Sequence, residues 1–225
     1  MSFFSAAMQV FLKDLRVELR SKEILSATAL FAVLVVLLSA FGLGLNTLPS
    51  AATSAGVLWI AVAFSGILAI SRTYLREREL NVFRALLLTP APRAALYVGK
   101  MLGVTLFLLI VVLLLIPLIE LFFHAPLLAN LLLLLPVILL AVLGYAAVGT
   151  LFGAMTIRTR LRDILLGVIL YPLIAPILIA AVKGTEAVLL GDGLAGARDY
   201  LELMGVIDLI YIIGSLWLFG PLMED

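Results

Sequence analysis

The sequence predicts an all-α membrane protein with six transmembrane helices, and three observations predict it. Apolar residues make up 64% of the 225-residue chain and charged residues 13%, against about 45–50% and about 25% in soluble domains. Apolar runs of roughly twenty residues recur along the whole length, each enough to cross about 30 Å of hydrocarbon at about 1.5 Å per residue. Lys and Arg gather in the segments that six crossings would leave on one side. The runs are continuous and lack the alternation of a barrel strand, so each is expected to be a helix that pairs its own backbone groups.

Residues 1–23 come first. Phe4, Met8, Phe11, Leu12, Leu15 and Leu19 fall at helical spacing, with Gln9, Lys13, Arg16, Glu18 and Arg20 between them. This is the pattern of an amphipathic helix lying in the cytoplasmic interface, either as an anchor or as a transmitter of motion. The spans follow at about 24–45, 51–70, 101–119, 127–152, 164–182 and 204–222. The first is too long for the apolar region of a signal peptide and no A-x-A-like site closes it, so it is expected to be retained. Pro117, Pro136, Pro172 and Pro176 fall inside spans, and Gly99/Gly103 and Gly149/Gly153 form small-residue pairs at four-residue spacing, which predicts close helix contacts. No repeat or low-complexity linker divides the chain, which reads as one transmembrane domain over 1–225.

Orientation follows from the positive-inside rule. All of the fifteen Lys and Arg except Lys183 and Arg198 lie before the first span, between the second and third, or between the fourth and fifth. Both ends are therefore expected in the cytoplasm. The 72–100 segment is the longest cytoplasmic piece; residues 79–88 could form a short helix presenting Phe83, Leu86 and Leu87, stopped by Pro90 and Pro92, and suited to docking on a partner or packing on the N-terminal helix. On the other side, 183–203 reads as the longest outer loop, with a short interfacial or re-entrant helix inside it.

The chemistry is sparse. The chain contains no cysteine, which excludes disulfides, thiolate metal sites and thiol catalysis. No H-E-x-x-H, nucleophile elbow, paired acidic motif or phosphate loop is present; Gly99-Lys100 lacks the upstream Gly and the following hydroxyl. Neither catalytic residues nor a metal site are expected. Glu120 reads as sitting at an outer boundary and Asp208 near the start of the last span, both within reach of the interface. His124, in IELFFHAP, is the single histidine and the candidate haem contact, although one imidazole without a second ligand is more often an interfacial residue.

Four stretches carry a family likeness: FLKDLRVELRSKEIL, SAGVLWIAVAFSGILAISRTYLRERE, LLLTPAPRAALYVGK, and the turn from Arg158 to Arg162 with the YPLIAPILI span. Together they cover most of the first 180 residues, and the chain resembles the CcmB family, membrane subunits of the ABC transporter of cytochrome c maturation, within the ABC-2-type permeases. The resemblance implies a cytoplasmic coupling helix between spans two and three, a multi-pass place in the bacterial inner membrane, and two permease chains paired with two CcmA-like ATPase subunits that use the ATP. By carry-over the ATPase-coupling interface is Glu77, Glu79, Phe83, Arg84, Leu86, Leu87 and Thr89. The family's frequent Asp-Gly turn is replaced here by Arg78-Glu79-Leu80-Asn81-Val82. Further implied partners are CcmC-like and CcmD-like subunits and a CcmE-like haem chaperone, with haem as substrate or ATP hydrolysis releasing the loaded chaperone. Two other readings share these features: an ABC-2 permease exporting a lipid, drug or polysaccharide, and a non-transporting assembly scaffold.

Overall fold

The computed structural model describes residues 2–43, 50–79, 91–155 and 162–222, with the helical stretches 76–79 and 162–167 described by their backbone. These residues form seven helices and no sheet: α1 (Phe3–Ser21), α2 (Glu23–Gly42), α3 (Ala51–Glu79), α4 (Arg93–Phe123), α5 (Leu131–Met155), α6 (Arg162–Leu190) and α7 (Gly193–Leu222). The last six are long and apolar enough to cross a membrane.

Five elements differ in their bounds from the sequence reading. There is no outer loop over 183–203: α6 continues to Leu190 and α7 begins at Gly193, with Gly191 at φ 95° and Gly193 at φ 60° making the turn. At 29 and 30 residues, the two helices are each about 45 Å long, so they overshoot the hydrocarbon as a helical hairpin. In the same way α3 runs past the predicted end at 70 and α4 starts before 101, while α5 begins at Leu131, after a turn in which Asn130 Nδ2 donates to Pro126 O at 2.8 Å.

α3, α4 and α5 are the most buried spans of the bundle. Within lipid there is no hydrophobic drive between apolar helices, so contact depends on small residues and on polar groups that find partners across helices. Both appear here. Gly149 and Gly153 of α5 face Ile70 and Tyr74 of α3 so closely that a Cβ at either glycine would overlap them. Trp59 Nε1 donates to Thr185 Oγ1 at 2.9 Å, tying the first third of α3 to the last third of α6. Tyr145 Oη donates to Ala63 O at 2.7 Å, and Tyr211 Oη donates to Leu173 O at 2.6 Å.

Candidate functional site

One end of the bundle gathers the start of α4 and the ends of α1, α3, α5 and α7. α1 meets α4 through its small residues: Ala6, Ala7 and Ala95 form a buried cluster, and Val10 joins the main core. The α4 residue beneath it is Gly99, where a Cβ would stand 2.6 Å from Ala7 O and 2.7 Å from Val10 Cβ. Of the predicted apolar stripe of α1, Phe4 (84% exposed), Leu19 (64%), Met8 and Leu12 are exposed and Phe11 and Leu15 half-buried, while the small Ala6 and Ala7 are turned to α4.

Two carboxylates finish this face. Asp14 Oδ2 accepts from Lys100 Nζ at 2.7 Å, and Asp14 Oδ1 pairs with Lys13 Nζ at 2.9 Å. The Lys100 side chain is only 2% exposed. One helical turn on, Glu18 is buried and its Oε1 accepts from Leu25 N at 2.8 Å. That N–H belongs to the first turn of α2, where the helix has no internal partner for it and where negative charge is favoured. Lys22, in the left-handed region at φ 53°, is the single residue that turns the chain from α1 into α2. Gly99-Lys100, which fails as a phosphate loop, is thus a seat for α1: the glycine admits the helix backbone and the lysine fastens it.

The helices on either side of segment 80–90 converge on one turn of α5. Tyr74 Oη, from α3, donates to Thr150 O at 2.9 Å, and Tyr97 Oη, from α4, donates to Ala147 O at 2.9 Å. The Tyr97 ring also rests against Phe219 of α7, with centroids 5.4 Å apart. Arg93 Nη1 donates to Gly220 O at 3.1 Å, which brings the end of α7 to the same place.

Of the residues expected to form the coupling interface, Glu77 and Glu79 lie in the last turns of α3, where the backbone is described but not the side chains. Phe83, Arg84, Leu86, Leu87 and Thr89 lie outside the described residues. His124 is exposed, adopts φ 54° as the C-cap of α4, and donates its backbone N–H to Glu120 O at 2.9 Å. Glu120 Oε2 accepts from Leu128 N at 2.7 Å and so holds the α4–α5 turn.

Asp208 corrects the sequence reading most. It was expected near the start of the last span, within reach of the interface, because that span was placed from 204. With α7 starting at Gly193 it stands at the centre of a 30-residue helix, about 22 Å from either end. It is 3% exposed, and among the described residues neither carboxyl oxygen has a hydrogen-bond partner. It fits a slot left by Gly144 of α5, where a Cβ would overlap Asp208 Oδ1 and stand 2.6 Å from Ile177 Cδ1.

No curated protein matches the chain. The family model described as "CcmB protein" matches residues 5–215, from α1 into the last third of α7 and so well past the first 180 residues that carried the likeness. With the match extending over nearly all of the chain, and six helices apolar enough to cross a membrane, the chain belongs to the CcmB family.

Proposed function

We propose that the chain is the membrane permease subunit of an ABC transporter for cytochrome c biogenesis, in which ATP hydrolysis by a separate CcmA-like subunit drives haem export or release of a haem-loaded chaperone. The bundle end that holds Arg93 and Lys100 is the cytoplasmic one, by the excess of Lys and Arg in the segments that meet there. Both termini then lie in the cytoplasm, and α1 lies in the inner-membrane interface with Phe4, Met8 and Leu19 turned to lipid. The ATPase docks on the stretch from Glu77 to Thr89, and a second copy of the chain, CcmC-like and CcmD-like subunits and a CcmE-like chaperone complete the assembly. His124, exposed beyond the opposite end of α4, is the side chain that can offer a ring nitrogen to haem iron.

The observation that carries this reading is the convergence of Tyr74 and Tyr97 on α5. A push on segment 80–90 enters α3 and α4 together, and both are bonded to the same turn of α5. α1 rides on α4 through Asp14 and Lys100. A docked ATPase therefore has a short, stiff path into the membrane.

Two experiments test the proposal. Deleting the gene from its source bacterium and staining membrane proteins for covalent haem is expected to remove all c-type cytochromes, restored by the intact gene; unchanged cytochromes would overturn the assignment to cytochrome c biogenesis. Phe83→Asp puts a charge at the centre of the docking segment. Such a change at an interface anchor costs about 2 kcal/mol or more, so ATPase binding is expected to fall roughly 30-fold, with stimulated hydrolysis lost and the melting temperature in detergent unchanged. A lower melting temperature with binding retained would instead place Phe83 in the chain's own packing.

A further inference from the structure

A carboxyl buried between the helices of a membrane bundle needs a counter-ion, hydrogen-bond donors or a proton, because an isolated carboxylate cannot be kept in an apolar environment. Asp208 has neither of the first two among the described residues. α7 packs on α4, α5 and α6, and the cations described on these helices are committed elsewhere. Arg93 is at Gly220 O, Lys100 at Asp14, Lys183 at Glu186 and Arg198 at Glu202. Arg162 and Asp163, whose side chains are outside the description, begin α6, about 20 Å of helix before Ile177. The tyrosines nearby also have acceptors of their own: Tyr145 donates to Ala63 O, and Tyr211, one turn beyond Asp208, donates to Leu173 O. Tyr171 of α6 has its ring edge-on to Phe64 of α3. A bound metal cation would need several oxygen ligands, and no group of three or more His, Cys, Asp or Glu that could hold one occurs among the described residues.

We infer that Asp208 is a proton-binding site, its carboxyl carried as the neutral acid while α7 is seated on Gly144 and its proton given up to water when α7 draws away from α5. The inference does not depend on which substrate the transporter serves. Gly144 sets the link between proton and packing: it is the absence of a side chain there that lets the carboxyl be enclosed. Opening the α5–α7 contact admits water, which solvates the carboxylate, and closing it takes one proton back. Movement of α7 therefore carries one proton per cycle of opening and closing.

The test is infrared spectroscopy of the full-length chain in lipid bilayers at neutral pH. The wild-type minus Asp208→Asn difference spectrum is expected to show the carbonyl stretch of a protonated carboxylic acid, and its absence would overturn the inference. Asn, uncharged and of the same shape, should keep the fold. Gly144→Ala, which pushes a methyl group into the carboxyl, is expected to remove the band at the same pH while far-ultraviolet circular dichroism stays helical. A band that survives Gly144→Ala unchanged would overturn the link to α7 packing. Melting temperatures give an independent reading. If the folded chain alone holds the proton, the wild type loses stability as pH rises above the ordinary carboxyl range of about 4, and Asp208→Asn does not. Parallel pH profiles for the two proteins would count against the site.

Discussion

Asp14→Ala is expected to loosen α1 from the bundle by about 3 kcal/mol, the largest effect of any single change of a polar side chain at the candidate site. The substitution removes the carboxylate 2.7 Å from Lys100 Nζ, so that this ammonium, 2% exposed, keeps only its remaining contacts. Breaking a buried pair costs about 3–5 kcal/mol, because the remaining charge keeps its desolvation penalty. The lower end applies because Asp14 is itself 12% exposed and also pairs with Lys13, which is 33% exposed and returns readily to water. Two comparisons isolate the mechanism. Lys100→Met should cost less than Asp14→Ala, since Asp14 keeps Lys13 at 2.9 Å. The double variant Asp14→Ala/Lys100→Met should recover most of the loss, because an apolar pair of similar volume is often as stable as a buried ion pair. Hydrogen exchange of α1 amides reads this directly: local opening about 3 kcal/mol easier is roughly 100-fold faster exchange. Equal exchange in Asp14→Ala and in the double variant would show that the pair does not hold the helix.

That pair also marks where sequence reasoning stopped. The six apolar spans could be read because each must exceed the hydrocarbon thickness, a constraint that acts on a continuous stretch of residues. Their ends could not, because charge marks where lipid ends and not where a helix ends. Arg72 and Tyr74 continue α3, and Arg93 to Lys100 begin α4. The stretch 183–203 reads as an outer loop with a short interfacial or re-entrant helix inside it, and a last span starting at 204 puts Asp208 near its start, whereas α7 from Gly193 puts it mid-helix. Gly191 and Gly193, the two glycines with positive φ among the described residues, are the available signal for a turn between two longer helices. Of the stripe Phe4, Met8, Phe11, Leu12, Leu15 and Leu19, four side chains are exposed while Phe11 and Leu15 are half-buried, and such a stripe implies burial in the chain's own core only where the solvent is water. In a membrane, the small face packs on other helices and the large face meets lipid. Asp14 and Lys100 are separated by 86 residues, and no local pattern joins them. The Gly99/Gly103 and Gly149/Gly153 pairs were legible because close approach has a local spacing; Gly99, Gly149 and Gly153 each meet a neighbouring helix.

Gly99→Leu is the second large effect, and it separates the geometry of the α1 seat from its charge. An added Cβ would lie 2.6 Å from the backbone oxygen of Ala7, closer than such contacts occur, and the rest of the leucine would have to occupy the space of Val10. Because the nearest obstacle is main chain, trimming a side chain gives no relief, and α1 must lift or slide along α4. Overpacking costs about 1–3 kcal/mol when neighbours can yield; against a helix backbone the expected cost is at the upper end or beyond. Displacing α1 also draws Asp14 from Lys100, so the loss should include the electrostatic contribution already argued. The expected results are exchange in α1 at least as fast as in Asp14→Ala, no rescue by Val10→Ala, and reduced ATPase stimulation with ATPase binding intact, since the 80–90 segment is untouched. The last result decides what α1 does. If it is only an anchor, detaching it leaves hydrolysis coupled; if it moves with α4 as part of the path from the ATPase, coupling fails while docking survives.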